Sequence, residues 1–265
     1  MKDQPSPERT GEANMEGLVA LVTGGATGLG RAIALEFARR GVHIAFNYRK
    51  LAGRDIVGQA LLTEAEIRSR GVRVFCGECD VRHSKEVHAF VDAAAKDLGG
   101  VHFLVNNAGI ARDGALWHLS DEAWREVIDT NLTGAFNCIQ AVAPIMRDQR
   151  FGKIVNISSH QSHHPGFGVS NYAASKAAVI GLTKSAAVEL GPSNVNVNAV
   201  APGFIQTELI ANLPPDVVER AEKSSVLGRI ADPEDVSKVV VFLCSEDARH
   251  ITGQVILIDG GMTLT

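Results

Sequence analysis

From residue 16 to the C-terminus, short apolar runs alternate with stretches whose apolar positions recur every three or four residues, and no shift in composition marks a linker. Strands are predicted at 18–23, 42–47, 72–79, 103–106, 154–157, 195–200 and 255–258. Several of these, Leu18-Val19-Ala20-Leu21-Val22 most clearly, are apolar without alternation, as strands covered on both faces of a parallel sheet must be. Helices fill the gaps, and their punctuation agrees. Ser120 precedes Asp121-Glu122, and Asp232-Pro233-Glu234-Asp235 supplies an N-cap aspartate, a first-position proline and an acidic first turn. A helix is also expected over 54–70, interrupted by Gly58. The pattern predicts one α/β domain over 16–265, a doubly wound, seven-stranded parallel sheet of Rossmann type. Residues 1–15, polar, charged and proline-bearing with no apolar core, read as a disordered tail and not a signal peptide.

Composition changes this picture in two places. Glycine, at 26 of 265 residues, exceeds the usual share of about 7% and points to tight turns and close approach of backbone to a ligand. Net charge is −4, without long basic clusters, which argues against nucleic-acid binding; no apolar run approaches the roughly 18 residues that span a bilayer. A cytoplasmic location is expected. Of four cysteines, Cys76 and Cys79 form a C-x-x-C, but within a predicted strand they point to opposite faces, so a structural role is expected rather than a redox pair.

The first strand runs into Thr23-Gly24-Gly25-Ala26-Thr27-Gly28-Leu29-Gly30, and a stretch of helical period follows at once. Strand, glycine turn and helix N-terminus together cradle a pyrophosphate, because free N–H groups and the helix dipole converge there. Where an acid would take the ribose 2′-hydroxyl of NAD, at the end of the second strand, the chain has Asn47-Tyr48-Arg49-Lys50. With no carboxylate to repel a 2′-phosphate and a guanidinium at Arg49, the charge pattern favours NADPH.

Tyr172 and Lys176 stand at i and i+4, on one helix face. An ammonium beside a phenol is expected to lower the phenol's pKa and make it a usable general acid or base. Thirteen residues before Tyr172, a hydroxyl at Ser159 ends a strand at the carboxyl edge of the sheet, where ligands of doubly wound folds bind. Asn106 to Gly109 and Ala201-Pro202-Gly203 end other strands at the same edge.

These motifs, with Cys79-Asp80-Val81, Thr130-Asn131 and Ile258-Asp259-Gly260-Gly261, resemble the classical short-chain dehydrogenase/reductase family over residues 17–265. Within it, Gly109 to Asp113, Pro202 to Thr207 and 227–236 look most like 3-oxoacyl-[acyl-carrier-protein] reductases and related ketoreductases. The resemblance implies that Tyr172 protonates the substrate oxygen, that Lys176 lowers the tyrosine's pKa and holds the nicotinamide ribose, that Ser159 rather than Ser158 polarises the carbonyl, and that Asn131 anchors a proton-relaying water. It places NADP(H) against Gly24, Thr27, Gly28, Leu29, Gly30, Asn47, Tyr48, Arg49, Asp80, Val81, Asn107, Ala108, Gly109, Pro202, Gly203, Ile205 and Thr207. It also implies a homotetramer built through helices over 121–146 and 172–190. Acyl-carrier docking in such reductases uses basic residues near the active-site mouth. Arg150 stands at one such place, and the other is Ser193, which is not basic.

His160-Gln161-Ser162-His163-His164-Pro165-Gly166-Phe167 fills the segment where the family lines its substrate pocket. No carboxylate or cysteine accompanies the three histidines, so contact of His160, His163 and Phe167 with a polar substrate, or a solvated loop, stands ahead of a metal site. The remaining histidines are scattered, and Trp117 and Trp124 are expected to pack at a helix start. The reading is an NADPH-dependent ketoreductase acting on a 3-oxoacyl thioester or a small ketone. Two alternatives stay open: an NAD(P)-dependent alcohol or sugar dehydrogenase of the same fold, and a non-catalytic NADP(H)-binding regulatory protein.

Overall fold

The computed structural model describes residues 15–207 and 215–264. The expected tail therefore lies outside the described residues except for Met15, which is buried in the core instead of trailing in solvent. The seven strands are β1 (Val19–Val22), β2 (His43–Tyr48), β3 (Val74–Glu78), β4 (Phe103–Asn106), β5 (Gly152–Ile157), β6 (Val195–Pro202) and β7 (Val255–Ile258). All pair in parallel, in the order β3-β2-β1-β4-β5-β6-β7. The order reverses between β1 and β4, and a crevice opens there at the carboxyl ends of the strands.

Helices cover both faces, which is why β1, β4, β5 and β6 are buried at every position. On one side, α1 (Gly28–Arg39) sets Ile33, Ala34 and Phe37 against the sheet beside Ile56, Ala60 and Ile67 of α2 (Ile56–Arg68). Val236 and Val240 of α8 (Pro233–Cys244) complete that layer. On the other side, α3 (Ser84–Leu98), α5 (Gly134–Gln149) and α6 (Ser170–Leu190) bring Val87, Phe90, Ile139, Val142, Met146 and Leu190 together. The spacing of these residues is the i, i+3, i+4 stripe of helices that rest on a sheet. α7 (Pro215–Ser224) packs Val218 and Ala221 with Phe204 and Ile230 in a small cluster separate from both layers.

Three local features depart from the pattern reading. Gly58 does not interrupt α2: it sits in the first turn, where its N–H donates to the capping Asp55 at 2.9 Å and a Cβ would lie 2.2 Å from the Asp55 carboxylate. The long helix expected over 121–146 is divided: α4 (Asp121–Ile128) passes through a π-helical turn at Asp129–Thr133 before α5 begins. Trp117 and Trp124 do not pack inward, being 72% and 40% exposed. Cys76 and Cys79 are both free thiols, and burial is the main cause that pushes each up to about 12.

Candidate active site

The crevice begins at the turn from β1 to α1. Gly24 and Gly28 there have φ of +66° and +53°, which side chains with a Cβ rarely adopt. The Thr23 hydroxyl accepts from the N–H groups of Asn107 and Ala108, each at 2.9 Å, and Asn107 Nδ2 donates to the Thr23 carbonyl at 2.8 Å. These bonds tie the turn after β1 to the turn after β4. Thr27, the residue before α1, makes no side-chain cap, and no acid occupies the first turn of the helix. The N-terminal N–H groups and the positive end of the dipole therefore face the crevice uncompensated. A Cβ placed on Gly28 would meet nothing closer than the Thr207 methyl at 3.8 Å. Gly24, Thr27, Gly28, Leu29, Gly30 and Thr207 thus form an open cradle suited to a pyrophosphate.

At the end of β2 the structure gives the expected cofactor residues partners within the protein. Asn47 is 4% exposed; its Oδ1 accepts from Gly24 N at 3.2 Å and its Nδ2 donates to the Cys79 carbonyl at 2.7 Å, so its side chain braces the glycine turn from beneath. Val81 belongs to the core, and Tyr48 packs against the core, partly buried. Arg49 is not a free cation: its guanidinium lies 3.5 Å from Asp80 and 3.8 Å from Glu126. Asp80 in turn accepts from Arg82 at both oxygens. Burial works to raise the Asp80 pKa, but the Arg82 hydrogen bonds and the charges of Arg82 and Arg49 prevail and hold it below the ordinary value.

Ser159, Tyr172 and Lys176 converge where β5 ends. The Ser159 hydroxyl bonds the Tyr172 phenol, and Lys176 Nζ lies 5.7 Å from the centre of the Tyr172 ring. The ammonium donates to the Ile157 carbonyl at 2.7 Å. Ser158 points elsewhere: it is buried and donates to the Lys176 carbonyl at 2.9 Å, which fixes β5 against α6. The expected lowering of the tyrosine pKa is not what the geometry gives. Burial raises it, outweighing the Ser159 hydrogen bond, and the charge of Asp113 raises it further. Burial instead depresses Lys176, to about 8.

Asn131 sits in the π-helical turn with both ends of its amide bonded. Its Oδ1 accepts from Ile110 N at 2.8 Å, and its Nδ2 donates to Ile110 O and to Ser175 Oγ, each at 3.0 Å. Ser175 donates onward to the Tyr172 carbonyl at 2.7 Å. The side chain therefore clamps the segment after β4 to α6. Gly109 lies in this cluster: a Cβ there would stand 3.3 Å from Asn131 Oδ1 and 3.4 Å from Lys176 Nζ. Pro202 ends β6; just beyond it Gly203 N donates to Ile258 O at 3.0 Å, and Ile205 bridges to Ala231.

The histidine segment divides. His160 turns inward, its Nδ1 3.2 Å from the Pro202 carbonyl and its ring 5.5 Å from Phe204, and burial lowers its pKa. His163 meets Ser162 at 2.9 Å on the exposed side. Phe167, 81% exposed, contacts the Trp117 ring edge-on at 6.0 Å. No group of three metal-binding side chains is found among the described residues. Arg150 precedes β5, at the sheet edge opposite Ser159, where its guanidinium donates to Pro192 O at 3.2 Å. Two residues that sequence reasoning passed over belong to the site. Asp113 acts on Tyr172, and buried Asn171 donates to Arg112 O at 2.9 Å at the start of α6.

A family model described as Enoyl-(Acyl carrier protein) reductase matches residues 24–263. Among curated proteins, the 3-oxoacyl-[acyl-carrier-protein] reductase FabG of Staphylococcus aureus (strain Mu50) is 43% identical over 243 residues, 92% of this chain and 97% of that protein. The enzyme of the same name from Thermotoga maritima is 42% identical over 253 residues, 94% of this chain and 99% of that one. A crystal structure assigned by name to the short-chain alcohol dehydrogenases, from Sinorhizobium meliloti 1021, superposes with a TM-score of 0.88 at 35% identity, covering 95% of this chain and 98% of that one. With these likenesses spanning nearly its whole length, the chain belongs to the short-chain dehydrogenase/reductase family, oxidoreductases that interconvert C=O and CH–OH groups.

Proposed function

We propose that the protein is an NADPH-dependent ketoreductase acting on 3-oxoacyl thioesters or comparable small ketones, with Tyr172 as the proton donor. The observation that carries this reading is the meeting of the Ser159 hydroxyl, the Tyr172 phenol and the Lys176 ammonium beneath the crevice. NADPH would be held by the cradle of Gly24, Thr27, Gly28, Leu29, Gly30 and Thr207, with Ala108, Gly109 and Pro202 along its length and Arg49 toward a 2′-phosphate. When bound, it supplies the hydride that reduces the carbonyl carbon. Ser159 donates a hydrogen bond to the carbonyl oxygen, and Tyr172 gives that oxygen its proton. The raised pKa suits this direction, because it keeps the phenol protonated at neutral pH; the Lys176 charge then stabilises the phenolate left behind. Asn131 acts as a positioning residue through Ile110 and Ser175. Trp117 and Phe167 form an apolar lip for the substrate's far end, and the exposed faces of α5 and α6, with Phe136 and Val188, are where copies of the chain would assemble.

The test is loss of nicotinamide fluorescence with NADPH and NADH in parallel, on an acetoacetyl thioester and a panel of free ketones, for wild type and Tyr172→Phe. Turnover of NADPH that drops at least about 100-fold in the variant is expected. Full activity in Tyr172→Phe would refute the proton-donor role. The two carboxylates that hold Arg49 favour a second reading, an NAD-preferring alcohol dehydrogenase; faster turnover with NADH would establish it.

A further inference from the structure

Trp117 and Phe167 are large aromatic side chains that the fold leaves in solvent. They are 72% and 81% exposed, neighbouring Leu116 is exposed as well, and none of the three belongs to the core. Hydrogen bonds tie the segments that carry them to the reacting groups. Gln161 N donates to Ser159 Oγ at 3.2 Å and Gln161 Oε1 accepts from Gly166 N at 2.6 Å, so Phe167 follows directly on a brace that ends at the Ser159 hydroxyl. On the other side of Phe167, Gly168 O accepts from Gly114 N at 2.8 Å. Buried Asn171 donates to Arg112 O at 2.9 Å while its Oδ1 accepts from Tyr172 N at 2.7 Å. The 112–118 and 161–168 segments are thereby fixed to each other, to Ser159 and to the start of α6. They meet where the Trp117 and Phe167 ring centres lie 6.0 Å apart, with planes inclined at 65°. The His118 ring packs on the same indole at 6.1 Å and 60°. Exposed apolar side chains held in place beside a site are a surface prepared for a ligand, because little ordering remains to be done when it binds.

We propose that the Trp117 and Phe167 pair is an aromatic shelf that selects ketones ending in a flat aryl group: the substrate's ring lies on the exposed indole and phenyl while its carbonyl reaches Ser159 and Tyr172. The inference rests on the ketoreductase reading above and narrows its substrate class. Packing among rings rewards an aryl group beyond the area it buries, by about fivefold in binding, and an alkyl group of the same size does not gain this.

The experiment compares kcat/KM for a pair of 3-oxo esters, alike except that one ends in phenyl and the other in cyclohexyl, in wild type, Trp117→Leu and Phe167→Leu. Ethyl acetoacetate, which lacks either ring, serves as the reference substrate. The ratio of phenyl to cyclohexyl is expected to fall about fivefold in both variants. A ratio unchanged within about twofold would overturn the shelf, since equal losses on the two esters mark a structural effect and not recognition of a ring. Fluorescence reads the same contact without catalysis. The chain has two tryptophans, so Trp124→Phe leaves Trp117 as the only one. With NADP+ present, which carries no hydride to transfer, the phenyl ester is expected to shift the Trp117 emission to shorter wavelength as it covers the indole. No shift at saturating ester overturns the proposal. So does emission already at short wavelength before ester is added, which would mark the indole as covered by another copy of the chain. If no protein reduces any of the three esters, the ketoreductase reading falls, and the emission shift alone decides whether the shelf stands.

Discussion

Lys176 is a buried ammonium whose pKa is depressed to about 8 from an ordinary 10.5, with burial as the cause. A folded-state pKa below the unfolded one means that the unfolded chain binds more protons between the two values. Stability therefore rises with pH across that window. Below about pH 8 the folded protein carries the full cost of the buried charge; above 10.5 it carries none. The difference of 2.5 units corresponds to about 3 kcal/mol. Lys176→Met removes the charge but also the bond to Ile157 O, so its effect at a single pH mixes two terms. The pH dependence separates them, because the neutral amine still donates to Ile157. Urea unfolding of wild type and Lys176→Met from pH 7 to 10 is the assay. Wild type is expected to gain about 2.5 kcal/mol relative to the variant over that range. The thiols and Tyr172, whose pKa values are raised, titrate in both proteins and largely cancel in the difference. Repeating the comparison in a Tyr172→Phe background removes the one titrating ring in contact. A gap constant within about 0.5 kcal/mol would show that the ammonium is solvated or paired, and the reasoning would fail.

Two further outcomes follow from neighbouring geometry. Ser159→Ala is expected to lower kcat about 100- to 1,000-fold in steady-state assays, whereas Ser158→Ala, which loses the bond to Lys176 O, should mainly lower the unfolding midpoint; the reverse pattern would exchange the two serines' roles. Gly30→Ala would put a Cβ 2.2 Å from the Gly24 carbonyl and should destabilise the fold by at least about 2 kcal/mol by thermal unfolding, and an unchanged Tm would refute that packing.

What the chain made legible was local. The glycine turn, the Tyr172 and Lys176 pair and the apolar strands are defined by residues close in sequence, so spacing alone brought them together. What spacing did not report were the partners that residues reach across the fold. Asn47 looked free for a ligand because nothing nearby announces that it bonds Gly24 and Cys79, 23 and 32 residues away. Arg49 looked unpaired because Glu126 reaches it from α4, a helix distant in sequence. Burial reversed the tyrosine's expected shift, since periodicity reports which face is apolar and not how completely a polar tip is desolvated.

The π-helical turn at Asp129–Thr133 has a consequence for how this molecule can change. An α-helix rotates by about 100° per residue, and a π turn absorbs an extra residue, so the sequence pattern of the 121–149 helix shifts by one position while its two halves keep their faces. Deleting one residue there would regularise the helix and leave Glu126 facing Arg112 and Arg49 while Ile139 and Val142 stayed in the core. The turn works as a splice between a half that dresses the crevice with charge and a half that anchors the sheet. Substitutions over 121–128 can therefore retune what the crevice admits without disturbing the register of the anchor.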